Sequence, residues 1–165
     1  MRVAIITSSD SGYAGQREDV SGPVIEEIVT ASGYEVVQRE LLPDDFAMLR
    51  DAMIRICDEG RADLVLTTGG TGCSPRDVMP EATAAAAERM VPGIPEAMRA
   101  YSMQFTRRAM LTRAASGIRG RSLIVNLPGS PKAVRECLEF ILPELRHGLE
   151  ILLGEAGECA STALH

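Results

Sequence analysis

Leu64-Val65-Leu66-Thr67-Thr68-Gly69-Gly70-Thr71-Gly72 is the stretch on which the fold turns. Its apolar run does not alternate with polar residues, as expected of a strand covered on both faces, and it passes at once into glycine-rich loop. Val3-Ala4-Ile5-Ile6-Thr7 has the same form and opens into Ser8-Ser9-Asp10-Ser11-Gly12. Ser122 to Leu127 repeats it before the turn Pro128-Gly129-Ser130-Pro131. A further strand is predicted from Tyr34 to Leu42, stopped by Pro43-Asp44.

Helical patterns separate these strands. Ser21 can cap a helix with Pro23 in its first turn, Val24, Ile25, Ile28 and Val29 on one face, and Gly33 as the stop. A second helix is predicted from Asp45 to Glu59, with Leu49, Met53 and Ile56 at helical spacing and Gly60 at its end. Helix resumes at Pro80 and runs through Glu81 to Met90, is interrupted from Val91 to Pro95, and continues from Glu96 to Phe105. Residues 107–121 carry no decisive pattern. Lys132 to Leu153 reads as helix broken at Pro143. Strands alternating with helices imply an α/β fold, a three-layer αβα sandwich around a mainly parallel sheet, because parallel neighbours need helical crossovers. The expected organisation is one domain over residues 1–154 and a C-terminal tail over 155–165.

Composition narrows the function. The chain has 165 residues, 45% hydrophobic and 24% charged, enough to bury one ordinary core. Its net charge of −6 disfavours general binding to nucleic acid or to anionic membrane. Ala97 to Arg135, however, holds eight cations and no acid, which leaves −14 for the rest of the chain. That patch suits an anionic ligand, unless its arginines pair with acids from elsewhere in the fold. Cys57, Cys73, Cys137 and Cys159 are too widely spaced for a CxxC pair, and His147 and His165 are the only histidines, so neither structural zinc nor a Cys/His nucleophile is expected. Cys57 and Cys137 read as buried small hydrophobes, and Cys73 is the candidate for reactivity. No apolar stretch approaches ~20 residues, and the chain is expected to be cytoplasmic with reduced thiols.

In open α/β sheets, ligands bind outside the carboxyl ends of the strands. Four polar or glycine-rich segments fall there: Ser8 to Ser11, Pro43-Asp44, Gly69 to Asp77, and Asn126 to Ser130. Thr68 to Gly72 can bring backbone N–H groups close to an anion such as phosphate, or can be a plain tight turn. It matches neither the Walker pattern nor the GxGxxG fingerprint. Asp44 and Asp77 can meet at one site, and Mg²⁺ is commonly held by one or two carboxylates plus substrate phosphates. Each can instead cap the helix that follows it. Asn126, Pro128, Gly129, Ser130 and Lys132 form a second turn able to hold an anionic group, or a routine strand-to-helix connection.

Three blocks together resemble the MogA/MoaB-type molybdopterin adenylyltransferases of molybdenum cofactor synthesis. They are Leu66-Thr67-Thr68-Gly69-Gly70-Thr71-Gly72 with Pro75-Arg76-Asp77-Val78 and Pro80-Glu81-Ala82-Thr83; Ala109 to Arg113 with Ala115 to Gly120; and Leu123 to Val134. The resemblance runs from about Arg2 to Gly154. It implies attack of molybdopterin on the α-phosphate of Mg-ATP, giving adenylylated molybdopterin and pyrophosphate. It also implies catalytic and Mg²⁺-binding roles for Asp44 and Asp77, and nucleotide binding by Thr68, Gly69, Gly70, Thr71, Gly72 and Thr112. Substrate contacts are then expected from Ser8, Asp10, Asn126, Pro128, Gly129, Ser130 and Lys132. A homotrimer is implied, with a molybdenum insertase as a further partner. Met79 departs from the hydroxyl residue of many relatives, and Cys73 is an unusual neighbour of the loop. The alternative is a non-catalytic molybdopterin-binding or carrier protein of the same fold.

Overall fold

A computed structural model describes residues 1–155 of the chain. In chain order the elements are β1 (Arg2–Ser8), α1 (Asp10–Tyr13), α2 (Ser21–Ala31), β2 (Glu35–Leu42), α3 (Phe46–Asp58), β3 (Leu64–Thr68), α4 (Met79–Ala86), β4 (Arg89–Met90), α5 (Gly93–Ser102), a 3₁₀ turn (Arg107–Leu111), β5 (Ser116–Arg119), β6 (Ser122–Leu127) and α6 (Pro131–Leu153). The six strands form one sheet in the order β2-β1-β3-β6-β5-β4. β2, β1, β3 and β6 are parallel, β5 is antiparallel to β6, and β4 is antiparallel to β5.

Two hydrophobic clusters sort the strand residues by parity. Val3, Ile5, Leu64, Leu66, Leu123 and Val125 face a layer built from α2, α5 and α6. Ala4, Ile6, Val65 and Ile124 face the opposite layer, from α3 and α4. The expected αβα sandwich is therefore the observed one, and continuous apolar runs are what a doubly covered strand requires. The chain passes from β1 through α2 to β2 on one side, then returns through α3 to β3 on the other. The strand order thus reverses between β1 and β3, whose carboxyl ends are Ser8 and Thr68.

Local departures have identifiable causes. The polar segment after β1 contains a helical turn, α1, capped by the Ser9 side chain accepting from the Gly12 N–H at 3.1 Å. Ser21 is not the cap of α2 but its first residue, and Asp19 accepts the Gly22 N–H at 2.9 Å in its place. The helix expected through Met90 stops at Ala86, because Arg89 and Met90 pair with Ile118 and Gly117 as an edge strand. α6 does not break at Pro143. Burial of Leu138, Ile141, Leu142 and Leu145 holds both sides of the proline to the sheet, and outweighs its missing N–H. The ambiguous 107–121 stretch supplies the 3₁₀ turn and β5. No helix among the described residues is long and apolar enough to cross a membrane. Beyond Glu155 the expected C-terminal tail lies outside the described residues.

The ends of β1 and β3 approach more closely than side chains allow. Gly69 has φ +89°, and a Cβ there would run into the Ser8 backbone carbonyl. Gly69→Ala should cost about 1–3 kcal/mol of stability, through left-handed strain and displacement of the β1 end. Urea denaturation checks this, and an unchanged midpoint contradicts it.

Candidate active site

The loop after β3 carries the site. A Cβ on Gly70 would lie 3.5 Å from Asp44 Oδ1 and 3.4 Å from Ser8 Oγ, and one on Gly72 would lie 2.9 Å from Asp77 Oδ2. The two carboxylates thus flank loop positions two residues apart, a span of at most about 7 Å even when extended. Neither is a helix cap. Asp45 caps α3, accepting the Met48 N–H at 2.9 Å, while the residue before α4, Val78, makes no side-chain cap. Asp44 instead accepts from Ser8 Oγ at 2.5 Å and from the Asp10 N–H at 3.1 Å. Asp77 Oδ2 accepts the Ser74 N–H at 2.8 Å, and its Oδ1 has no hydrogen-bond partner among the described residues.

The Pro128-Ser130 turn is fastened to this loop. Thr68 Oγ1 donates to the Pro128 carbonyl at 2.6 Å and Ser21 Oγ to the Gly129 carbonyl at 2.8 Å. A Cβ on Gly129 would sit 3.6 Å from Gly69 Cα, so the backbones of the two turns touch. Between them and the end of β1 opens a cavity of about 310 Å³, bordered by Thr7, Ser8, Asp19, Thr68, Gly69 and Gly129. Ser130 caps α6 through the Ala133 N–H at 3.2 Å. The N-terminus of that 23-residue helix sits beside the cavity with its partial positive charge.

Asp44, Asp77 and Gly70 to Gly72 stand beside this cavity's Ser8–Gly69 edge and do not line it, and other expected residues lie elsewhere. Asn126 is fully buried: its amide donates to Thr67 Oγ1 at 2.9 Å and Thr83 Oγ1 at 2.7 Å, while Oδ1 accepts the Ala115 N–H at 3.0 Å. Its side chain thus stands beneath the rim, with two of its three bonds buried and the third, from Ala115, partly buried. Asp10 is likewise committed. It takes two bonds from Arg76, at 3.0 and 2.9 Å, and the Asp44 N–H at 2.9 Å. Those bonds, Arg76 first, hold its carboxyl below the usual carboxylate range. Thr112 lines a separate apolar cavity of about 220 Å³ with Met98, Ser102, Thr106, Pro128 and Cys137. Lys132 is largely exposed and lies 3.8 Å from Glu136.

About half of the cationic stretch is paired with carboxylates. Arg113, Arg119 and Arg135 pair with Glu81, Asp58 and Glu27, and Arg99 and Arg121 donate to backbone carbonyls. Arg107 and Arg108 make no side-chain bond among the described residues. Cys57 and Cys137 are buried, and burial pushes the Cys57 thiol up to about 11, whereas Cys73 is exposed. Sequence reading gives no role to Asp19, Arg76 or Arg113. Arg76 and Arg113 stand inside the motifs quoted above, but only the folded backbone tells which carbonyl or carboxylate each meets.

The donors fit a hard cation such as Mg²⁺. They are carboxylate oxygens, one of them unpartnered, and no group of three or more His, Cys, Asp or Glu able to hold a metal occurs among the described residues. An ion here would draw its remaining ligands from water and substrate oxygens, the usual habit of Mg²⁺.

The fold and rim define an open-sheet α/β protein with a two-carboxylate glycine loop at the switch point of its sheet. Residues 4–147 match the MoCF biosynthesis family, described as a probable molybdopterin binding domain, and the chain belongs to that family. It is 38% identical to a molybdopterin adenylyltransferase of Helicobacter pylori over 156 residues, covering 93% of this chain and 89% of that protein. It is 41% identical over 144 residues to the molybdopterin adenylyltransferase of Escherichia coli K12, covering 86% and 73%. Its fold is similar to that of the molybdopterin biosynthesis enzyme MoaB of Thermus thermophilus, with a TM-score of 0.88 and 45% identity over 93% of this chain and 96% of that one.

A carboxyl whose folded pKa is depressed contributes stability above its unfolded value, near ~3.9, and loses it as pH falls through the lower folded value. The Asp10 carboxyl should therefore titrate below ~3.9 in a carbon-detected NMR titration, and a midpoint at or above it contradicts the Arg76 latch. Asn126→Ala strands two buried threonine hydroxyls and the partly buried Ala115 N–H, and should cost about 1–3 kcal/mol by chemical denaturation. An unchanged midpoint would show that the network carries no stability.

Proposed function

We propose that this protein is a molybdopterin adenylyltransferase, transferring AMP from ATP to molybdopterin in molybdenum cofactor biosynthesis. The observation that carries the reading is that Asp44 lies beside Gly70 and Asp77 beside Gly72, at the rim where ligands of open α/β sheets bind. The curated relatives from Helicobacter pylori and Escherichia coli bear the name of this activity.

In the reaction an oxygen of molybdopterin forms a bond to the α-phosphorus of ATP, the α–β bridging bond breaks, and pyrophosphate leaves with its electron pair. Such a transfer needs positioning and charge stabilisation more than a protein nucleophile. The backbone amides of the Gly69–Gly72 loop cradle nucleotide phosphates, because the missing Cβ atoms permit close approach. The Gly129–Ser130 turn and the N-terminus of α6 receive a second anionic group. Ser8 fixes Asp44 through its hydroxyl. Asp44 and the unpartnered oxygen of Asp77 would hold Mg²⁺, which would supply screening of the phosphate charge. Thr112 contributes from the second cavity, and Lys132 supplies an exposed cation in the first turn of α6. The working form is a homotrimer in the cytoplasm, able to pass its product to a molybdenum insertase.

Purified protein incubated with molybdopterin and α-labelled ATP should yield adenylylated pterin only with Mg²⁺. Asp77→Asn should lower turnover on the order of 10²-fold with the fold kept, as expected when a charge-stabilising group is lost. Molybdopterin binding without product in the parent protein would support a carrier of the same fold, and full activity in Asp77→Asn would overturn the carboxylate assignment.

A further inference from the structure

Arg113 stands between the 3₁₀ turn and β5, outside the loop, yet it grips the loop at both ends. Its backbone N–H donates to the Thr71 carbonyl at 2.9 Å, and its Nε donates to the Gly72 carbonyl at 2.6 Å. One terminal guanidinium nitrogen donates to the carbonyl of Asp77 itself, and the other to the carboxylate of Glu81 in the first turn of α4. One planar fork therefore joins the backbone on either side of the Cys73–Arg76 excursion and ties both to the following helix. A free segment of six residues could extend to roughly 20 Å, so convergence of its two end carbonyls on one side chain is a strong restriction.

The restriction bears on the Asp77 carboxylate. Asp77 Oδ2 faces Gly72 and takes the Ser74 N–H, both within the loop that the fork closes, while Oδ1 is left unpartnered. The ion pair with Glu81 is exposed, and such a pair alone contributes little. The two bonds to carbonyls carry the geometry. A lysine, with a compact ammonium and no rigid fork, cannot reproduce them together.

We propose that Arg113 is a positioning residue for adenylyl transfer: by bridging the Gly72 and Asp77 carbonyls it fixes where the Asp77 carboxylate stands relative to the glycine loop and Asp44. The inference rests on the catalytic reading of Asp77 given above. It assigns Arg113 no contact with substrate. Misplacing a positioned group by about 1 Å can cost on the order of 10²-fold in rate, which sets the scale expected here.

The test compares the parent protein with Arg113→Ala and Arg113→Lys. In Arg113→Ala, kcat should fall on the order of 10²-fold. The half-saturating Mg²⁺ concentration should rise, and KM for molybdopterin should hold within about threefold. Ethylguanidine should restore part of the lost rate, and Arg113→Lys should fall between the other two. A proportional loss in every parameter with no rescue would mean a structural role alone and would overturn the proposal. Amide hydrogen exchange separates this from the functional reading. The Ser74 amide should lose at least about tenfold protection in Arg113→Ala, while the Ala133 amide at the α6 cap keeps its own, as expected of a locally opened segment. If the parent protein makes no product but Ser74 protection falls, the catalytic reading fails and the loop clamp stands. Unchanged Ser74 exchange overturns the clamp whatever the activity.

Discussion

The approach of Gly69 to the Ser8 carbonyl is the contact on which the rest of the site depends. Parallel pairing of β1 with β3 brings Thr7 opposite Thr68, so both chains leave the sheet at one level and must turn within a backbone's width of each other. Only a residue without Cβ and with positive φ meets that condition. With Gly69 in place, Gly70 falls beside Asp44, Gly72 beside Asp77, and Gly129 against Gly69 itself. Four strand ends become one rim because three backbone turns pack directly on one another.

Buried polar bonds make that rim rigid. Asn126 connects β6 to β3, to α4 and to the strand entry at Ala115, and Thr68 and Ser21 hold the carbonyls of Pro128 and Gly129. The Asn126 bonds to Thr67 and Thr83 are buried, where an unmade partner is costly, and the part-buried bonds to the Pro128 and Gly129 carbonyls fasten the turn above them. Outside this frame, exposed Arg76 and Asp10 close one edge through a charge-assisted pair. The site is thus stiff beneath and adjustable at its mouth.

Much of this is legible in the sequence, and the boundary is physical. The runs Val3–Thr7, Leu64–Thr67 and Ser122–Leu127 can be read because a doubly covered strand needs apolar residues on both faces. Gly33 and Gly60 mark helix ends because both adopt positive φ there. Asp44 and Asp77 can be singled out by position, but they are separated from helix caps only by the structure, in which Asp45 and Val78 take the places before α3 and α4. Arg89-Met90 reads as helix in the sequence because a two-residue edge strand is fixed by its partner, not by its own pattern. Asn126 resembles a ligand contact because its place at a strand end is visible in sequence, whereas the burial of its side chain is not. The charge of the 97–135 stretch is visible, but its pairing with Glu27, Asp58 and Glu81 is not.

The central claim is that one nucleotide sits on the Gly69–Gly72 loop between Asp44 and Asp77. A crystal structure of the protein with Mn²⁺ and a non-hydrolysable ATP analogue tests it most directly, since the anomalous signal of the ion locates it independently of the nucleotide. The expected result is an ion touching a carboxylate oxygen of Asp44 or Asp77 and a phosphate oxygen of the analogue, with phosphates against the loop amides. An analogue bound elsewhere, or an ion remote from both carboxylates, would contradict it.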